Sequence, residues 1–180
     1  VTDNSSISFT SGQNTFIGGG LLGVQKYFQN DIYAALALNA LYNSYNNTIY
    51  SLTQANTPND STSLKNNFQY GANVRLGKKL DHDMISATPY VLGGIEAGQF
   101  KGHMVNVEDT QTITASPSKT MSGFQGGFGM LVALSTNVNM GMEYAHTWFG
   151  NFNYTDAAKT TALSQNIQQD QVLLSLNYMF

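Results

Sequence analysis

His146 is the side chain with the most chemistry to test. It lies in "VNMGMEYAHTWF" (138–149), sharing an alternating face with Met140, Met142, Tyr144 and Trp148. An imidazole oriented by an acid can activate a hydroxyl nucleophile. Ser122, on the preceding patterned stretch, is the hydroxyl nearest to such a scheme, and a third member is not visible. The plainer reading is an interfacial histidine among aromatic rings. His82, in "DHD", stands between Asp81 and Asp83, which are metal-ligating types. Consecutive residues splay apart, so a solvated turn is expected there. His103 carries no pattern. "GGG" at 18–20 lacks the strand-to-helix context of a phosphate loop. The chain has no cysteine, hence no disulfide and no thiolate metal site. No catalytic residue, cofactor site or metal site is assigned from these residues.

Three charges stand apart: Arg75, Glu96 and Glu143 fall inside apolar-patterned stretches, whereas nearly every other charge falls in a loop, a turn or at a strand end. Arg75 and Glu143 lie at similar distances from their neighbouring turns, hence at similar depth. A buried charge without a partner is costly, so the two are expected to pair in an interior. Glu96 lies farther along its stretch and is expected to have a different partner.

The elements that position these residues alternate with period two, and helical periodicity is hard to find. Residues 172–180 place Val172, Leu174, Leu176, Tyr178 and Phe180 on one face. "FQYGANVRLG" (68–77), "FQGGFGMLVAL" (124–134) and 138–149 repeat the pattern. Weaker versions run through 14–28, 32–45 and 87–100. Pro89 is placed near a strand start, where a missing donor matters less. Short connections near 28–31, 78–83 and 135–137 alternate with long polar segments near 51–67, 102–119 and 150–169, which read as loops. Such a meander suits one antiparallel up-and-down barrel spanning residues 1–180.

Alternation alone does not say which face points inward. Charged residues are 11% of the chain, against about 25% in ordinary soluble domains. The face opposite the apolar one is Gly, Ala, Asn, Gln, Ser and Thr rather than Lys and Glu. That pattern fits a barrel whose apolar face meets lipid and whose narrow interior is small and polar. A lipid-facing cation at mid-depth costs about 2–4 kcal/mol, which accounts for the uncharged band. Tyr70, Tyr144 and Trp148 are expected as interfacial aromatics. A net charge of −3 gives no footprint for nucleic acid.

The C-terminal "LLSLNYMF" resembles the terminal-strand signal by which the barrel assembly machinery of Gram-negative outer membranes recognises its clients, with Leu176, Tyr178 and Phe180 carrying the match. It departs at Ser175, where Gly is frequent, and at Leu173, where a polar residue is common. The whole chain resembles the small opacity-protein-like outer-membrane barrels, best in "TPYVLGGIEAG" and "GFQGGFGMLVALSTNVNMGMEYAHTW". The resemblance implies eight strands and an outer-membrane location. Seven are clear. Either Ser6 to Thr10 form a short first strand, or the first strand lies outside this chain, and the loop-like "VTDNSS" favours the second. The resemblance also implies partners: outer-membrane lipid and lipopolysaccharide, the assembly machinery, and a host surface ligand for the loops. A non-enzymatic surface protein is the leading functional expectation. A narrow channel or carrier of small apolar molecules comes next, and a lipid A-modifying enzyme after that.

Overall fold

The computed structural model describes residues 15–54, 57–82, 85–108, 111–155 and 162–179, with side chains for 15–46, 63–81, 86–103, 114, 116–153 and 166–179. Within these, the chain is almost entirely antiparallel sheet. The strands are β1 (Ile17–Tyr27), β2 (Ile32–Gln54), β3 (Thr57–Lys78), β4 (Leu80–His82), β5 (Ile85–Glu108), β6 (Gln111–Ala115), β7 (Ser118–Ala133), β8 (Val138–Thr155) and β9 (Ala162–Tyr178). A single short 3-10 turn, Gln29–Asp31, is the other element. The strands pair antiparallel in the order β1-β2-β3-β5-β7-β8-β9, with β4 and β6 each paired with β5 off this path.

The two strands off this path are continuations. β4 meets β5 in the register of β3, and β6 meets β5 in the register of β7. The second break falls at Ser116 and Pro117, where proline has no N–H to give the ladder. The sheet stays joined there through Gly102 N–H to the Pro117 carbonyl at 2.8 Å. The described residues therefore fill seven strand positions in a curled up-and-down meander. Residues 1–13, where a first strand was sought, lie outside the described residues. β1 and β9 form the two edges of the described sheet, and Leu21, on the interior-facing row of β1, is exposed rather than buried among neighbours.

At the short-turn end the chain reverses tightly. Asn30 and Asp31 adopt positive φ of 63° and 62°, a conformation these two residue types tolerate. The Lys79 amide donates to the Asp31 carbonyl at 2.8 Å, tying two neighbouring turns together. Lys79 Nζ and Asp81 Oδ2 form an exposed ion pair at 2.8 Å. Lys79 holds the Asp81 carboxyl below the usual carboxylate range, helped by Ser86. The side chains of His82 and Asp83 lie outside the described residues.

At the other end the expectation of long loops is corrected. Most of 51–67, 102–119 and 150–169 is strand, and residues 55–56, 109–110 and 156–161 lie outside the described residues. At about 3.3 Å per residue and a tilt of about 40°, a 23-residue strand such as β2 rises roughly 58 Å, more than twice the ~25 Å apolar band. In 51–67 and 150–169 the physical reason that alternation disappeared is the β-bulge. Registers shift between Asn66 and Phe68 on β3 and between Trp148 and Gly150 on β8. Each extra residue moves the interior row to the other parity. On β3 the buried row is Leu64 and Asn66 before the bulge, and Gln69, Asn73 and Arg75 after it. On β8 it is Thr147 and Phe149, then Phe152. Gly150, at φ 83°, supplies the turn that the second bulge requires.

These parity changes bring Leu64 and Phe152 inward beside Phe100, Met121, Phe149 and Ile167, forming an apolar cluster inside the upper part of the sheet. Phe100 and Phe149 meet edge to face at 5.1 Å. The upper hairpins thus stand on a core of their own. Truncating Phe152, which is 1% exposed, to alanine is expected to cost about 3–5 kcal/mol. Amide exchange should accelerate at Leu64, Phe100 and Ile167 while residues 70–76 keep their protection. Equal acceleration in both regions would show that the cluster is not a separate upper core.

Candidate functional site: the barrel interior and the outer rim

Below the apolar cluster the interior is polar. β3 carries Arg75 and β8 carries Glu143, both interior-facing and 7% exposed. Arg75 Nη2 lies 2.9 Å from Glu143 Oε2. Two further contacts complete the arrangement. Tyr90 OH on β5 donates to the same Glu143 oxygen at 2.8 Å, and Arg75 Nε donates to Asn73 Oδ1 at 3.1 Å. The guanidinium also sits over the Tyr90 ring, 5.3 Å from its centroid. Tyr90 in turn meets Tyr33, which meets Tyr27. Tyr90 depends on two glycines. A Cβ at Gly129 would fall 2.5 Å from the Tyr90 hydroxyl, and one at Gly77 would fall 2.8 Å from the Tyr90 Cβ.

Taking this pair out of water is expensive, and its attraction offsets the cost only where the remaining polar atoms are also bonded. Tyr90 and Asn73 meet that condition. Nothing in the alternation of "TPYVLGG" singled Tyr90 out. The signal was available only as a tyrosine on the small-residue face.

Glu96, on β5, is 1% exposed and lies apart from this group. Asn39 Nδ2 on β2 donates to both of its oxygens, at 3.1 and 3.3 Å. The two side chains meet above Gly71, where a Cβ would fall 2.6 Å from Glu96 Oε2 and 2.8 Å from Asn39 Oδ1. Beyond them Gln69 donates across the interior to Gln169 Oε1.

The outer face carries a second group. His146 Nδ1 lies 2.8 Å from Asp170 Oδ1, and Tyr144 OH donates to the same oxygen at 2.6 Å. The His146 ring packs on Trp148 with centroids 4.3 Å apart. Asp170 is the acid that the sequence reading did not see. It belongs to the following strand, in register with His146. The nucleophile is what fails. Gly126 stands opposite His146 on β7, and Ser122 is four residues farther along, roughly 13 Å away at strand rise. His146 and Asp170 lie about eight residues above the short turn, roughly 20 Å up at barrel tilt. They mark where the outward row changes from Met140, Met142, Leu174 and Leu176 to polar residues.

Tyr70 and Trp148 are exposed on the outward face, as are Leu176 and Tyr178, and Tyr144 stands half-buried beside Phe128. Phe180 lies outside the described residues.

A family model described as the outer membrane protein beta-barrel domain matches residues 2–180. A Coxiella burnetii protein described only as uncharacterized is 29% identical over 149 residues, covering 80% of this chain and 55% of its own length. The 25 kDa outer-membrane immunogenic proteins of Brucella abortus and Brucella suis are each 30% identical over 121 residues, covering 67% of this chain and 50% of theirs. The chain spans about half the length of these curated relatives. No solved structure matches.

Replacing Glu143 by alanine strands the Arg75 charge and is expected to cost about 3–5 kcal/mol, read from unfolding in detergent micelles. The double replacement Arg75→Met with Glu143→Leu should recover most of that loss. A double variant no better than Glu143→Ala would show that the cost is packing and not the uncompensated charge.

Proposed function

The chain belongs to the outer membrane protein β-barrel domain family, and from that premise we propose that it is a non-enzymatic surface protein whose barrel anchors polar extracellular hairpins for contact with a host or the environment. It lies in the outer membrane of a Gram-negative bacterium. The observation that carries the anchor reading is the filled interior. The apolar cluster of Leu64, Phe100, Met121, Phe149, Phe152 and Ile167 occupies the upper part, and the Arg75–Glu143–Tyr90 group occupies the lower. An anchor has no need of an open lumen, and a conduit does.

The upper hairpins supply the contact surface. Their outward faces carry Lys65, Lys101, Asn151 and Asn153 among exposed polar residues. The name of the Brucella relatives, outer-membrane immunogenic protein, supports a surface reading for the part of the chain they share. The partners proposed are outer-membrane lipid and lipopolysaccharide around the apolar band, the barrel assembly machinery at the Leu176–Tyr178–Phe180 end, and a host surface ligand at the hairpin tips. The His146–Asp170 pair supports an interfacial role over hydrolysis, because Gly126 stands where a nucleophile would be needed.

Reconstituted in planar bilayers, the protein is expected to give no steady conductance. A stable single-channel current would replace the anchor with a narrow channel. Lipid A from cells expressing the protein should keep its mass, and loss of an acyl chain would establish the enzyme instead. An epitope inserted between residues 156 and 161 should be stained on intact cells, while staining only after permeabilisation would sink the surface reading.

A further inference from the structure

The interior holds three buried charges among the described residues, Arg75, Glu96 and Glu143, and the pairing of Arg75 with Glu143 leaves the Glu96 carboxylate without a cation. Near it are carboxamides with polar atoms that no described protein group satisfies. Among the described residues Asn39 Oδ1 and Gln69 Oε1 have no hydrogen-bond partner, and neither polar atom of Asn66 or of Gln171 has one. These side chains are deeply buried: Asn66 is 1% exposed, Gln69 0% and Gln171 3%. An unmet buried polar atom costs about 1–3 kcal/mol, so a cluster of them demands an occupant.

The positions converge. Asn39 Oδ1 and Glu96 Oε2 lie together above Gly71. Gln69 is opposite Gly98, the next interior-facing position after Glu96 on β5, about 7 Å along the strand. The Asn66 carboxamide nitrogen reaches over the same Gly98, 2.8 Å from where a Cβ would stand. Gln171 is the interior-facing neighbour of Gln169 on β9, and Gln169 accepts from Gln69. One carboxylate surrounded by carboxamide oxygens is a set of hard oxygen donors, suited to alkali and alkaline-earth ions over softer metals. The single negative charge matches a monovalent ion, since no group of three His, Asp or Glu side chains gathers among the described residues. Water carried by the ion can bridge to side chains that do not reach it directly.

We propose that Glu96, with Asn39, Asn66, Gln69 and Gln171 around it, binds one hydrated alkali cation inside the barrel. Glu96 is the counter-charge, Asn39 and Gln69 present oxygens toward the ion, and the carboxamide nitrogens bond its water. The apolar cluster above separates the ion from the outer end, so the site is a structural cation site and not a step in a pore.

The test uses the full chain in detergent micelles at constant pH and ionic strength, with sodium or potassium chloride exchanged for choline chloride. An ion bound only by the folded state raises the unfolding midpoint, by about 3–6 °C when it is tenfold above its dissociation constant. The rise should vanish in Glu96→Gln. Crystals of the wild-type protein soaked in thallium(I) should show an anomalous peak beside Glu96, an arm that needs no variant to fold. Equal midpoints in choline and in alkali salts would overturn the proposal, and with an unchanged Glu96→Gln midpoint would assign Glu96 as a neutral acid. A cation response that persists in Glu96→Gln, or no thallium peak at Glu96, would overturn it equally.

Discussion

Hydrocarbon offers no hydrogen bonds, so every backbone N–H and C=O at membrane depth must be bonded within the protein. This constraint underlies the rest of the molecule. It requires a sheet in which each strand is paired along its length, and it gives that sheet two unlike faces. Lipid solvates the outer row, where Val74, Val91, Phe128 and Leu174 are half or more exposed. The inner row is confined, and its residues are chosen for volume and for hydrogen bonding. Gly71, Gly77 and Gly129 are small because Glu96, Asn39 and Tyr90 occupy the space that their side chains would need.

A narrow polar interior raises its own problem, since charge buried there is far from water. The lower interior meets it by concentrating charge and donors: one Glu143 oxygen takes both the Arg75 guanidinium and the Tyr90 hydroxyl. The upper interior meets it by excluding polar groups, with Phe149 and Phe152 packed among Leu64, Phe100 and Ile167. Glu96 lies between the two on β5, and the unsatisfied Asn66 pairs in register with Phe100 at the edge of the apolar cluster. The anchor role proposed above rests on that layering more than on any single contact. It also explains how hairpins of polar composition remain sheet well beyond the apolar band.

Much of this was legible in residue order. Two-residue periodicity and the missing charges of one face identify strands and tell lipid from lumen, because a strand has only two faces and lipid tolerates almost no charge on its own. The depths of Arg75 and Glu143 could be read as distances from their turns. The upper strands were not legible. A bulge costs one residue and inverts every face after it, so Leu64 and Phe152 looked out of phase and their segments looked like loops. The His146–Asp170 pair was hidden for a different reason. Its members are 24 residues apart, and only the register of β8 against β9 brings them together.

The amino-acid sequence by itself determined the strand pattern, the lipid-facing row and the set of interior charges, since these follow from local alternation and from the cost of charge in hydrocarbon. Tertiary structure alone decided which interior groups meet. Tyr90 joins Arg75 and Glu143, Asn39 reaches Glu96, and Gln69 spans to Gln169 because strands distant in the chain are curled to face one another. No periodicity encodes that meeting. It depends on register, bulges and curvature together, which are properties of the whole sheet.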